Sequence, residues 1–477
     1  MIPHGRSNAA LPAPAPPRRG SVADLLKQYD RPGPRYTSYP TAVEFNDSFD
    51  DAAYRGRLEA AASAKDDPLS LYVHLPFCEA RCSYCGCMVI ITQKREVAVR
   101  YLDYLERELA MLAAALGGRR HVVQHHWGGG TPTYLSLEQI ERLDTTIRKY
   151  FDIAADAEKA IEIDPRVTTR DQLRLLRALG FNRLSMGVQD FTPEVQDAIG
   201  RHQTEAQTRD LYDFARSIGF TSINVDLIYG LPRQELDAFR RTLRAVVSLR
   251  PDRIAVYSYA HVPWLRPHQK LIDADTLPDA SLKFDLFGAA VEAFLGGGYA
   301  AIGMDHFALP GDELAQAAAE RRLHRNFMGY TTRPAADMLG VGVSAIGDVR
   351  GAFAQNHKKL PSYYEAIDAG RFPVERGYAL SADDLLRRQV ITELMCNFHV
   401  DRRAVELRHG IRFDEYFADE LAELQGPDGP EADGFVALSP EGLSVTPAGR
   451  LFVRNICMTF DRYLPSHAGR RVFSRTI

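Results

Sequence analysis

Four of the six cysteines in this 477-residue chain lie between positions 78 and 87, in the segment HLPFCEARCSYCGC. Cys78, Cys82 and Cys85 have the spacing C-x3-C-x2-C, and Cys87 follows after Gly86. Three thiolates on one short loop can hold three irons of a [4Fe–4S] cube and leave the fourth iron open to a non-protein ligand, which is what catalysis at iron needs. A tetrahedral zinc site would draw on a second, distant ligand pair, and no second C-x-x-C exists. A redox pair of the thioredoxin kind suits four crowded cysteines poorly. A closed four-thiolate electron carrier stays open at this point, because Cys87 could ligate. A disulfide framework would spread its cysteines along the chain, whereas Cys396 and Cys457 stand alone and far downstream.

Other residues could serve such a centre. The Gly128-Gly129-Gly130-Thr131-Pro132 loop offers side-chain-free backbone that can approach a ligand closely, although an isolated glycine-rich turn is more often structural. Glu162 and Asp226 each sit near the end of an apolar run, where a carboxylate needs a ligand or an ion-pair partner to be tolerated. Arg201 follows Gly200, a helix-end signal, so it could complement a helix dipole or meet an anion. Gln189 closes another apolar run, where an amide can fix a ribose or an amino acid moiety. His306 reads as a core histidine first.

From Leu71 onward, short β-rich runs alternate with Gly/Pro loops and helix-period stretches, the pattern of a parallel sheet. The predicted strands are 71–77, 122–127, 160–164, 183–189, 223–230 and 253–259, with 299–304 extending the set. Between them, Leu102, Leu105, Leu109, Leu112 and Leu116 form a helical apolar stripe, and Ser136-x-x-Gln139, Thr169-x-x-Gln172 and Thr204-x-x-Gln207 read as capping boxes. The fold class expected is α/β: a partial (β/α)6-type barrel with extensions, followed by a mainly helical C-terminal domain. Chemistry then belongs at the carboxyl ends of the strands.

Domain boundaries follow: a disordered Pro/Ala-rich leader over 1–22, an N-terminal lid segment over 23–65, the barrel over 66–355, and the helical domain over 356–477. A hairpin is expected at GFVALSPEGLSVTP; it would suit a winged-helix module, but the acidic stretch 413–433 argues against nucleic acid. With 58 basic and 62 acidic residues no global field attracts polyanions or anionic membranes. No run approaches a membrane span and the start lacks a secretory apolar core, so a soluble, cytoplasmic protein is expected. The early arginines Arg6, Arg18 and Arg19 faintly suggest a transit peptide, which the prolines among them oppose.

The C-x3-C-x-aromatic-C pattern, with Tyr84 as the aromatic, resembles the radical S-adenosylmethionine (SAM) signature. LYVHLPFC, CGC, HWGGGTPTYL, IEIDP, FNRLSMGVQDF, DLIYGLP, YAHVP, GMDHFA, HRNFMGYTT, RNICMTFD and RYTSYPTA together resemble the oxygen-independent coproporphyrinogen III oxidases over nearly the whole chain. Haem-binding relatives share the barrel and three cysteines but typically lack a cysteine at the end of the CGC motif.

The resemblance implies a [4Fe–4S] cluster on Cys78, Cys82 and Cys85 and two molecules of SAM. Tyr72, Tyr84, Gly129, Glu162 and Ile346 match contacts of the first, and Gly130, Thr131, Gln189, Arg201, Asp226 and Ala260 those of the second. It implies reductive cleavage of SAM to a 5′-deoxyadenosyl radical, removal of a propionate β-hydrogen, and loss of an electron and carbon dioxide. Two propionates of coproporphyrinogen III would become vinyl groups, giving protoporphyrinogen IX. Arg35, His324, Arg325 and Arg454 are candidates for holding propionates, and Cys87 for a place near the second SAM or the substrate. The partners implied are a low-potential reductant such as flavodoxin or ferredoxin, with the chain a monomer that binds neither nucleic acid nor membrane. The rival readings are a haem-binding carrier without decarboxylase activity and a simple electron carrier.

Overall fold

The computed structural model describes Leu25 and residues 28–470 and 472–476; the expected leader over 1–22 lies outside the described residues. They form two compact units, residues 37–385 and, separately, the residues up to Tyr36 together with 386–476.

In the larger unit six parallel strands follow one another in chain order across one sheet: β1 (Leu69–Leu75), β2 (His121–Gly129), β3 (Asp152–Ile163), β4 (Arg183–Gln189), β5 (Ser222–Tyr229) and β6 (Arg253–Ser258). The crossovers are helices α1 (Glu96–Ala115), α2 (Leu137–Tyr150), α3 (Arg170–Ala178), α4 (Glu205–Ser217) and α5 (Leu236–Leu249), with a shorter helix at Pro193–Ile199. All five stripe leucines of α1 and the residue after it are buried. Helices α2, α3 and α4 begin with full capping boxes at Ser136, Thr169 and Thr204. Each cap is worth about 1 kcal/mol and fixes where the chain turns from loop to helix.

Period two along the strands separates two faces. Leu71, Val73, Leu75, Val225 and Leu227 belong to the apolar core, whereas the alternate positions carry polar groups. Toward the strand starts Gln124 accepts from Ser70 and donates to Glu158 and Thr331, and Asn326 donates to Gln124, so the hairpin 324–331 is tied to β1, β2 and β3.

The sheet remains open. Strand Asp337–Val341 pairs parallel with β1, and Ile346–Asp348, Ala352–Asn356 and Val374–Ala379 continue from it as an antiparallel meander to one edge. Beyond β6, His306–Ala308 and Ala300–Gly303 form the other edge, both antiparallel to their neighbours. The run expected at 299–304 is the edge strand Ala300–Gly303; it follows the helix Ala280–Gly296 and runs in the direction of β6, with His306–Ala308 inserted antiparallel between them after a two-residue turn. The barrel boundary expected at 355 moves to 385, since 352–356 and 374–379 pair with each other. The segment expected as one lid over 23–65 divides at Tyr36/Thr37.

The smaller unit holds helices Arg402–His409, Ala418–Gln425 and Val453–Thr459 and a three-stranded antiparallel sheet, in which Val436–Leu438 and Gly442–Val445 are the expected hairpin. Its N-terminal stretch is fastened from within: Asn455 donates to the Tyr29 carbonyl, and Arg454 to the carbonyls of Gly33, Pro34 and Thr476. Among the described residues no helix is long and apolar enough to cross a membrane.

Candidate active site

The cysteine loop leaves β1 through Pro76. Phe77–Cys78 pairs parallel with Ile90–Ile91, which closes the base of the loop carrying Cys82, Cys85 and Cys87. Further bonds hold its crown: Cys85 N–H to the Cys82 carbonyl, Ser83 N–H to the Ile199 carbonyl, His268 Nε2 to the Cys85 carbonyl (2.8 Å) and Gln269 Nε2 to the Tyr84 carbonyl (3.0 Å). Burial pushes the Cys78 thiol up to about 11, while a hydrogen bond from Cys87 brings Cys85 down to about 6 against the cost of burial. Cys82 is buried, and its Sγ faces two guanidinium groups, Arg166 Nη2 at 3.7 Å and Arg201 Nη1 at 3.8 Å.

A cavity of about 480 Å³ opens beside this loop, lined by the four cysteines and by the carboxyl ends of β2, β3, β4 and β5. On its near side is the glycine run that ends β2. Gly129 has φ +111°, and a Cβ there would lie 2.4 Å from His74 Cε1. A Cβ on Gly130 would lie 2.7 Å from the Pro76 backbone. Bare backbone thus lets the end of β2 approach the cysteine loop and leaves room above it. The Gly129 N–H donates to Glu162 Oε2 (3.0 Å), and His126 Nε2 lies 3.4 Å from Oε1. Burial opposes the Glu162 charge, yet His126 and the Gly129 N–H hold the carboxyl below its ordinary value.

On the far side Asp226 accepts from Ser185 Oγ (2.7 Å) and Asn224 Nδ2 (2.8 Å). Burial outweighs these neutral donors and raises Asp226 to about 6. Gln189 takes φ +69° where the β4–β5 ladder slips a register, the kind of local strain that re-aims a side chain at a site. Arg201 is shared between Asp164 (2.9 Å), the Gly187 carbonyl and Cys82, and its Nε is buried without a partner among the described residues.

The cavity thus gathers most of the predicted residues: the cysteines, Tyr84, Gly129, Glu162, Gly130, Thr131, Gln189, Arg201 and Asp226. Tyr72, Ile346 and Ala260 are not in its lining. Tyr72 acts from below: its hydroxyl meets His74 Nδ1 (3.0 Å) and its ring stacks on His126, the partner of Glu162. Ile346 lies against Gly340, the residue paired with Tyr72. The Ala260 carbonyl accepts from Gln269, which also holds Tyr84. His324 is exposed on the hairpin, and Arg325 lies over the Tyr330 ring. His306 bonds Asp305 (2.8 Å) between the rings of Tyr257 and Tyr330. Arg35 and Arg454 belong to the smaller unit, where the Arg454 guanidinium donates to main-chain carbonyls. Sequence reasoning missed Asp164, Arg166, Ser185 and Asn224. The available signal was position, since Asp164 and Arg166 directly follow β3 and Ser185 and Asn224 keep the inward parity of their strands.

Residues 72–246 match the Radical SAM superfamily and residues 380–452 the HemN C-terminal domain. Together with the open parallel barrel and the three-cysteine loop at its strand ends, the match defines a radical SAM enzyme. Over 454 residues the chain is 50% identical to the oxygen-independent coproporphyrinogen III oxidase of Salmonella typhimurium, covering 95% of this chain and 98% of that one. The Synechocystis enzyme of the same name is 46% identical over 459 residues, again 95% and 98% covered. The solved Escherichia coli coproporphyrinogen III oxidase, described as a radical SAM enzyme, aligns at a TM-score of 0.87 and 47% identity, over 92% of this chain and 98% of that one. The chain belongs to the oxygen-independent coproporphyrinogen III oxidase family.

Membership of the radical SAM superfamily carries a [4Fe–4S] cluster and SAM with it. The residues present fit both groups: cysteine thiols on one closed loop, a glycine floor that any side chain would fill, and a buried Arg201 N–H still to be matched.

Proposed function

We propose that this chain converts coproporphyrinogen III to protoporphyrinogen IX without oxygen, by oxidative decarboxylation of two propionates to vinyl groups. The observation that carries this reading is full-length kinship with enzymes of that name, combined with a cysteine loop that opens onto a cavity flanked by two carboxylates. When bound, the cluster and SAM supply a one-electron reductive cleavage whose product takes a hydrogen atom from the substrate.

In this reading Cys78, Cys82 and Cys85 hold the cluster. Gly129 and Glu162 receive the amino group of the first SAM, with Tyr72 orienting Glu162 through His126, and Tyr84 and Ile346 complete that side. The negative Glu162, kept ionised by His126 and the Gly129 N–H, suits an ammonium group. Gly130, Thr131, Gln189, Arg201, Asp226 and Ala260 take a second SAM. In support, the same cavity continues from Glu162 to a separate acid and a separate guanidinium. Cys87, Arg35, His324 and Arg325 face the substrate. A reactive hydrogen acceptor requires a site closed to water, and the segment 37–65 is the proposed cover. The chain works as a cytoplasmic monomer fed by a low-potential one-electron carrier such as flavodoxin or ferredoxin. Clustered thiols suited to a reducing compartment support that location.

The test is anaerobic reconstitution with SAM, reductant and coproporphyrinogen III, followed by oxidation and fluorescence detection of protoporphyrin. Porphyrin formation is expected; deoxyadenosine without porphyrin would overturn the assignment. Alanine at Cys78, Cys82 or Cys85 should remove bound iron. Cys87→Ala should keep the iron and lose turnover.

A further inference from the structure

Cys82 differs from the other cysteines in what surrounds its sulfur. Arg166 Nη2 lies at 3.7 Å and Arg201 Nη1 at 3.8 Å, both within donor reach of Sγ. Neither guanidinium is free to swing. Arg166 forks onto Asp164, with Nε at 3.0 and 3.1 Å from the two carboxylate oxygens and Nη2 at 2.7 Å from Oδ2. Arg201 Nη1 meets the same Asp164 Oδ2 at 2.9 Å, and its Nη2 is pinned to the Gly187 carbonyl. Asp164 is placed by its position one residue after β3, where its backbone carbonyl accepts from Thr168 Oγ1. All three side chains are largely withdrawn from water, at 9% exposure for Asp164, 21% for Arg166 and 7% for Arg201.

Two guanidinium charges share one carboxylate, so the triad carries a net single positive charge against this one sulfur. A three-thiolate [4Fe–4S] cluster becomes one charge more negative on reduction. A fixed positive charge in a partly desolvated setting favours the reduced form, and hydrogen bonds to the thiolate withdraw electron density from the iron it binds. We propose that Arg166, oriented by Asp164, tunes the reduction potential of the cluster through Cys82, raising it so that a physiological one-electron carrier can reduce it. Arg201 serves the same sulfur through Nη1. This rests on Cys82 being a cluster ligand.

The experiment is a redox titration of reconstituted protein without SAM, monitored by electron paramagnetic resonance of the reduced cluster, with iron and sulfide measured alongside. The midpoint is a property of the loaded fraction, so incomplete loading does not obscure it. Arg166→Gln should lower the midpoint, reducing the ratio of reduced to oxidised cluster at fixed potential by about tenfold, which is 59 mV for a one-electron couple. Arg166→Lys, which keeps the charge, should recover most of the shift. Asp164→Asn removes the opposing charge and should move the midpoint in the other direction, a sign that mere loosening of the loop does not produce. An unchanged midpoint in Arg166→Gln, or shifts of the same sign in Arg166→Gln and Asp164→Asn, would overturn the proposal. Full iron retention in Cys82→Ala would instead sink the ligand assignment beneath it.

Discussion

Glu162 and Asp226 line one cavity and are held by opposite means. Glu162, at the end of β3, meets an imidazole and a main-chain N–H and is drawn below the ordinary range of its carboxyl. Asp226, inward on β5, meets only the neutral hydroxyl and amide of Ser185 and Asn224 and is raised to about 6. The near side is thus charged before any ligand arrives. The far side holds a carboxyl that a nearby cation would ionise, so ligand binding there is linked to proton release near neutral pH. The backbone differs in the same direction: Gly129 on the near side has a positive φ and meets the His74 ring, while Gly187 on the far side faces first the side-chain amide of Gln189.

The largest effect should come from alanine at these two glycines. Gly129→Ala forces a side chain into a positive-φ position and onto a buried ring, a strain of about 3 kcal/mol. SAM binding measured by equilibrium dialysis should fall more than about 100-fold. Gly187→Ala has no positive φ to strain and meets first the Gln189 amide, at 2.8 Å, which can shift; it should cost about 1 kcal/mol of stability. Equal losses in the two variants would erase the distinction between a rigid near side and an adaptable far side.

The next contrast exchanges charge for amide. Glu162→Gln keeps the shape but removes the anion from the cavity wall, and on the proposed assignment should weaken SAM binding about tenfold, the scale of one charge-assisted hydrogen bond. Asp226→Asn should act less, about threefold at pH 8 and hardly at pH 5, where the wild-type carboxyl is already largely protonated. Stability carries the opposite signs. Asp226 has its folded pKa raised, so its contribution is complete below about 4 and lost as pH rises through about 6. Glu162 has its folded pKa lowered, so its contribution is present above its unfolded value and lost as pH falls through the folded one. Melting curves from pH 4 to 8 should therefore show Asp226→Asn gaining on the parent as pH rises, and Glu162→Gln falling behind.

How much of this contrast the sequence reveals follows from which signals are local. The six strands, the three capping boxes and the C-x3-C-x2-C loop are each written in a few consecutive residues, and they appear at or within a few residues of the expected places, except that β3 already begins at Asp152 rather than at 160. Glu162 and Asp226 were legible for the same reason, as carboxylates inside apolar runs. Their partners were not. His126 reaches Glu162 across 36 residues and Arg166 reaches Cys82 across 84, so those pairs exist only once the parallel register is set. The run expected at 299–304 is a strand of the same sheet, but the short strand His306–Ala308 inserted between it and β6 carries no comparable apolar run. That Arg454 donates to the chain's own carbonyls is likewise invisible in its motif, because Gly33 and Pro34 lie some 420 residues away in sequence.

The smallest expected effect probes the support beneath the near side. Tyr72 does not line the cavity, but its hydroxyl bonds His74, whose ring fills the space under Gly129, and its own ring stacks on His126, the partner of Glu162. Tyr72→Phe removes only the hydroxyl and keeps the stack. It leaves His74 Nδ1 without that partner while Nε2 still meets the Met88 carbonyl, which should cost about 1 kcal/mol of stability. SAM affinity should change less than about twofold, because Glu162 keeps both of its partners. A larger loss of affinity in Tyr72→Phe than in Glu162→Gln would mean that the Tyr72 hydroxyl meets the ligand itself, and the near side would then need a second polar contact besides its carboxylate.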